Sequence, residues 1–186
     1  MVNLMKEENC FISKNFNIDM KISALKNENN INKRTFILPS YRNRTEEQLK
    51  RIPKEKYSIE LNGLRFIVPE LLFNPNIIGI EEGGIQDGIA QAIKECHPDF
   101  RNLLHENIVV TGGNSKFPNF KERLHNELIP VSDIDTDIKI YDLPKTDNVI
   151  NGMKTFASNI DNLIDLAVSR DDYEELGMNV IWKNCL

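Results

Sequence analysis

The sequence predicts an α/β protein in which helix outweighs strand, and three observations carry that expectation. The run Asn107-Ile108-Val109-Val110-Thr111-Gly112-Gly113-Asn114-Ser115-Lys116-Phe117-Pro118 joins a short β-branched strand to two glycines and then to an amphipathic segment opened by proline. Apolar residues recur at helical spacing in Ile85, Ile89 and Ile93, in Phe120, Leu124 and Leu128, and in Val149, Ile150, Met153, Phe156 and Ile160. Short alternating stretches, Tyr57 to Leu61 and Ile138 to Ile140, read as half-buried strands between them.

In chain order, Val2 to Glu8 reads as the last turns of a helix already under way at Met1. Ser13 is placed to cap a segment carrying Phe16, Met20 and Leu25, and Asn27 to Asn32 is turn-like. Thr35 to Leu38 reads as a strand stopped by Pro39. Ser40 to Lys56 shows little apolar periodicity and is expected to be a long charged loop. Tyr57 to Leu61 ends at Asn62-Gly63, a strong short hairpin signal, so Leu64 to Val68 is expected to be its partner strand. A helical turn from Pro69 to Phe73 and a bend at Asn74-Pro75-Asn76 follow. Gly83-Gly84 precede the Ile85 helix, Pro98 ends it, and Phe100, Leu103 and Leu104 mark another short one. Beyond the Val110 strand come the Phe120 helix stopped by Pro130, the Ile138 strand, the long Val149 helix reaching Ile164, and a last acidic helix at Asp171 to Glu175.

Composition narrows the function classes. A chain of 186 residues, 40% hydrophobic and 27% charged, has ordinary globular character, and a net charge of −5 argues against a general nucleic-acid binder. That average hides a split. Lys33, Arg34, Arg42, Arg44, Lys50, Arg51, Lys54 and Lys56 crowd one segment against only Glu46, Glu47 and Glu55, whereas the C-terminal third is rich in aspartate. The basic run is either a solvated face or a partner-binding surface. Cys10, Cys96 and Cys185 have no metal spacing and fit a reducing compartment. Lys6 to Asn9 interrupt any apolar leader and no stretch is long enough to span a bilayer, so a soluble cytosolic or nuclear protein is expected.

Few residues suggest catalysis. His97, His105 and His125 have no nucleophile motif beside them, and none of GxSxG, HExxH or a Walker A lysine loop occurs. Asp171, Asp172, Glu174 and Glu175 read either as a metal site or, more simply, as favourable charge at a helix start. The glycine pair lies where open α/β sheets bind ligands, at the carboxyl end of a strand, and reads as either a ligand-facing or a plain tight turn. By spacing alone the sequence names no reaction.

Several stretches resemble the C-terminal part of actin and the actin-related proteins. They are Lys6 to Phe11, Arg65 to Pro75, Gly79 to Ile85, Asn107 to Phe117 and Ser169 to Glu175, in family order over nearly the whole chain. Within that superfamily the chain is most similar to the actin-related protein 6 group. The cues are Phe73-Asn74-Pro75, the Ile108 to Ser115 run, the Val168 to Tyr173 run and the charged insert between Pro39 and Tyr57.

The resemblance implies an incomplete actin-like ATPase (RNase H-like) fold: the second lobe, meaning subdomain 4 and part of subdomain 3, plus the C-terminal helices of subdomain 1. Residues 1–80 would be the subdomain 4-like part with the insert at about 40–56, residues 81–147 the subdomain 3-like part, and 148–186 helices that pack on the first lobe. Lys6 and Glu7 match positions that contact ribose and adenine. Gly112 and Gly113 match glycines beside the nucleotide, and Asn114, Lys116 and Phe117 continue along the base. All of these also fit a purely scaffolding role. Thr146 and Asp147 replace a lysine and a tyrosine of actin beside the base, and Lys116 replaces an apolar contact. The family's phosphate-binding hairpins and metal-proximal aspartate have no counterpart here, so this chain is expected to bind ATP or ADP with magnesium weakly and not to hydrolyse it. The implied role is a nuclear structural and docking subunit of an SWR-type chromatin remodeller, which exchanges a histone variant. Implied partners are other remodeller subunits, histones or nucleosomal DNA, with self-association through the first-lobe interface and no membrane. The rivals are a cytoplasmic, cytoskeletal actin-like protein and an active actin-type ATPase.

Overall fold

The computed structural model describes residues 1–26, 28–133, 136–143, 148–158 and 167–180, and they fall into two units, Met1–Asp142 and Leu143–Leu186. In the first unit, helix α1 (Val2–Asn9) leads through an extended Cys10 to Ser13 segment into α2 (Phe16–Ser23). Strand β1 (Arg34–Ile37) is followed by the charged segment and then by β2 (Ser58–Leu61). The two strands pair antiparallel, Arg34 opposite Leu61 and Ile37 opposite Ser58.

The charged segment is not an unstructured loop. It holds a 3-10 turn at Pro39–Tyr41, α3 (Glu46–Leu49) and α4 (Lys54–Tyr57). Thr45 and Gln48 form a reciprocal capping box that opens α3, which satisfies backbone donors that a one-turn helix otherwise leaves bare. Tyr41 and Tyr57 meet at 6.2 Å between ring centroids, closing the segment on itself.

The Asn62-Gly63 hairpin does not form. Gly63 adopts right-handed helical backbone instead of the positive φ that a two-residue hairpin turn requires, and Leu64 to Glu70 is helix α5. Its buried residues Arg65, Phe66, Pro69 and Glu70 recur at helical spacing. The Asn62 side chain donates to the Ser23 carbonyl, anchoring this corner to α2. A second correction concerns α2, whose cap is Asn15 accepting from the Ile18 N–H; Ser13 donates to Asp19 instead.

Helices α6 (Ile85–Glu95) and α7 (Pro98–His105) follow a 3-10 turn at Pro75–Ile78. Gly84 opens α6 against the Phe73 carbonyl, where an added Cβ would sit 2.0 Å from that oxygen, so only glycine fits. Strand β3 (Ile108–Val110) pairs parallel with β4 (Ile140–Asp142), and α8 (Phe120–Leu128) lies between them in sequence. Helix α8 begins at Phe120 after a left-handed Asn119, two residues later than Pro118 suggested.

The core gathers Ile12, Phe73, Ile108, Phe117, Phe120, Leu124, Leu128, Ile138 and Ile140, so the Phe120-Leu124-Leu128 stripe is buried as its spacing predicts. Beside it, Phe66 packs on Phe11 and Phe16 with centroids 5.9 and 5.8 Å apart. Arg123 on α8 joins three pieces of chain: it donates to Glu70 on α5 at 2.8 Å, to Glu127 at 2.7 Å and to the Ser13 carbonyl at 2.7 Å. In the second unit α9 (Asn148–Ala157) carries exposed Val149, Ile150, Met153 and Phe156, and α10 (Arg170–Leu176) is capped by Ser169. Asn27, Thr146, Asp147, Ile160, Ile164 and Cys185 lie outside the described residues. Among the described residues no helix is long and apolar enough to cross a membrane.

Candidate functional site

The parallel register aligns the carboxyl ends of two strands, Val110 of β3 beside Asp142 of β4. Directly beyond Val110, Thr111 leads into Gly112 at φ +97°, a left-handed conformation that side chains rarely adopt. Gly113 is right-handed and starts a 3-10 turn at Asn114–Lys116. Ser115 is buried and donates to the Gly112 carbonyl at 2.9 Å, locking the turn. A Cβ added at Gly112 or at Gly113 meets nothing within 4 Å, so both offer bare backbone to open space. Asn114 is exposed beside them.

Lys116 reaches back across the strand ends, its Nζ 3.1 Å from Asp142 Oδ1. Phe117 turns inward and belongs to the hydrophobic core, which sequence position alone did not reveal. Ser115, Lys116 and Phe117 line a groove of about 570 Å³ that continues to His125, Asn126 and Asp142. Lys6 lines a different, apolar groove of about 180 Å³ between α1 and α5, with Met5, Leu61, Leu64 and Val68. Glu7 is exposed on α1. The structure therefore brings Gly112, Gly113, Asn114, Lys116 and Phe117 together in one turn, and puts Lys6 and Glu7 on another element.

Next to Glu7, Glu8 makes a two-pronged ion pair with Arg42 of the charged segment, at 2.8 and 2.6 Å. The hydrogen bonds from Arg42 hold the Glu8 carboxyl below its usual range. Of the remaining cations in that segment, Lys33 and Lys54 both pair with Glu60, whereas Arg44 stacks on the Tyr41 ring at 4.7 Å. Arg44, Lys50, Arg51 and Lys56 have no ion-pair partner among the described residues and face solvent. His97 caps α7 by accepting from the Asp99 N–H, and His105 is buried near Ser132. Asp172 and Glu174 are engaged by Ser169 and Arg170, and no three His, Cys, Asp or Glu side chains converge among the described residues.

Parallel strands with packed helices and a glycine turn at their carboxyl ends make this unit a mixed α/β architecture, with bare backbone where open α/β sheets commonly take ligands. Residues 1–186 match the actin family from end to end, and the chain belongs to that family. Its mixed α/β architecture with small sheets is that of part of the actin-like ATPase fold. The chain is 34% identical to an actin-like protein ARP6 of Kluyveromyces lactis over 99% of its own length and 45% of that protein's. It is 30% identical to an actin-related protein 6 of Arabidopsis thaliana, over 95% of its length and 48% of the relative's. An actin-like protein of Caenorhabditis elegans is 36% identical over 69% of this chain and 32% of its own length. The chain thus spans about half the length, or less, of these curated relatives.

Proposed function

We propose that this chain is the C-terminal part of a nuclear actin-related protein that serves as a structural and docking subunit of an SWR-type chromatin-remodelling complex. The observation that carries the reading is the end-to-end similarity to proteins named actin-related protein 6, joined to a structured basic insert. In this reading residues 1–80 form a subdomain 4-like part, 81–147 a subdomain 3-like part, and 148–186 helices for the first lobe. The insert is the docking element. Arg44, Lys50, Arg51 and Lys56 are the cations it leaves for another remodeller subunit, a histone or nucleosomal DNA, where phosphate neutralisation would make binding salt-dependent. Arg42 is excluded because Glu8 already holds it.

The residues present fit one wall of an adenine-nucleotide cleft. Gly112 and Gly113 offer backbone with room for a flat base, Asn114 stands beside them, and Lys116 lines the adjoining groove, where its stem could pack on a ring. Lys6 and Glu7 would supply ribose and adenine contacts from α1. Phe117 would act from the core, by holding the turn in place. When bound, ATP or ADP with magnesium would supply the charge of its phosphates, which the described residues meet with no converging metal ligands. In this reading these residues bind and dock, and no hydrolytic step is given to them.

The decisive experiment replaces Arg44, Lys50 and Arg51 with glutamate in the full-length protein. Loss of remodeller assembly or nucleosome binding, with a flattened salt dependence, is expected; unchanged pull-down and salt slope would remove the reading. Sedimentation of the full-length protein with ATP and magnesium separates it from a polymerising cytoskeletal actin.

A further inference from the structure

Arg65 is an internal cation without a carboxylate counter-ion among the described residues. It is 8% exposed, donates Nε to the Asn9 carbonyl and Nη1 to the Asn32 carbonyl, both at 2.8 Å, and stacks on Phe11 at 5.0 Å. Those bonds fix the guanidinium but do not neutralise it. Nη2 has no hydrogen-bond partner and the group no carboxylate partner among the described residues. Burial first, and the neighbouring Arg34 guanidinium second, push the Arg65 pKa down, against a smaller opposing effect of Cys10. Both arginines line a single open cavity of about 580 Å³ between α1, α2 and the start of β1. The carboxylates at its rim are committed elsewhere, Glu8 to Arg42 and Asp19 to Ser13 and Asn32. The other wall is apolar: Ile18 and Ile31 also line the cavity and are 54% and 74% exposed.

We infer that this cavity is a recognition site for an acidic segment of a protein partner, one carboxylate seated on Arg65 and Arg34 and a neighbouring apolar side chain on Ile18 and Ile31. Guanidinium favours a carboxylate because its planar fork matches two oxygens, and a fixed, desolvated fork loses little entropy on binding. The exposed isoleucines favour a peptide over an inorganic anion, since their cover adds apolar burial that phosphate cannot supply. The inference rests on the docking role above but uses a surface separate from the basic insert.

The test titrates the 186-residue chain, with 15N-labelled arginine, with acetyl-Leu-Glu-Leu-amide and follows the guanidine resonances. Arg65 and Arg34 should shift together and saturably, and acetyl-Leu-Gln-Leu-amide should bind at least tenfold more weakly. Arg34→Gln, at an exposed position, should weaken the glutamate peptide about tenfold without lowering the thermal unfolding temperature, since it also relieves the repulsion on Arg65. Ile31→Ser should weaken it severalfold. No saturable shift, equal binding of the glutamine peptide, or inorganic phosphate binding as tightly as the glutamate peptide would each overturn the assignment. A negative result here with intact insert-dependent assembly removes this site alone; the reverse pattern removes the remodeller reading alone.

Discussion

Gly112 and Gly113 are neighbours with different physical reasons to be glycine. Gly112 sits at φ +97°, so Gly112→Ala strains the backbone and is expected to cost about 1 kcal/mol or more. Gly113 is right-handed with open space around it, so Gly113→Ala should leave stability within about 0.5 kcal/mol. Chemical denaturation of the two variants checks both. Gly113→Ala is then the informative probe of ligand approach: in a full-length protein it should weaken adenine-nucleotide binding with no loss of stability. Glu70 and Arg123 define the opposite case, a pair fixed by burial, since Glu70 is only 2% exposed. Removing one partner by Arg123→Met leaves a buried carboxylate and should cost about 3–5 kcal/mol in a denaturation experiment. Arg123 also bonds the Ser13 carbonyl, so the loss should loosen the extended segment after α1.

At the scale of elements, the charged insert is the clearest departure from what the residues alone suggested. Ser40 to Lys56 lacks apolar periodicity because its helices are single turns, each too short to show one. The capping box at Thr45 and Gln48 was the legible signal, as a Thr-x-x-Gln spacing. Its anchorage depends on pH. Glu8 has a folded pKa lowered from 4.5 by Arg42, so its contribution is present above the unfolded value and is lost as pH falls through the folded one. A carboxyl NMR titration should give a Glu8 midpoint below 4.5, rising toward that value in Arg42→Gln. The hairpin expectation failed for a different reason. Leu64-Arg65-Phe66-Ile67-Val68 looks like a strand by β-branching, yet the buried residues are Arg65, Phe66, Pro69 and Glu70, a helical spacing that only tertiary partners of Arg65 and Glu70 explain. Strand β2 instead pairs backwards, across the whole insert, with β1. Long-range partners of that kind leave no trace in local periodicity, whereas the Phe120-Leu124-Leu128 stripe and the strand before Gly112 do.

For the whole molecule, the glycine turn was legible because a strand ending in two glycines has local grammar, and family resemblance adds the nucleotide role proposed for it. The Arg34–Arg65 cavity was not legible, because it forms only when residues from α1, α2 and β1 converge. The exposed apolar face of α9 was visible as a periodic stripe. Such a face promotes self-association, so light scattering of the 186-residue chain should show a concentration-dependent mass that Met153→Glu and Phe156→Glu reduce. Nucleotide binding belongs to the same scale. Calorimetry of this chain with ATP and magnesium should give no submicromolar binding, because phosphate affinity requires converging backbone donors and a metal. A submicromolar constant would overturn the half-cleft reading.

The Glu8–Arg42 fork has one more consequence. Glu8 follows Lys6 and Glu7 on the same short helix, and Arg42 sits at the entrance of the insert. Whatever draws Arg42 away changes the free energy of α1, and whatever ligand α1 grips differently in the two states must, by thermodynamic reciprocity, change the grip of the insert by the same factor. If the insert docks a partner and the Lys6–Glu7 edge meets a nucleotide as proposed, this ion pair would couple the two, and partner affinity measured with and without nucleotide would read the sign.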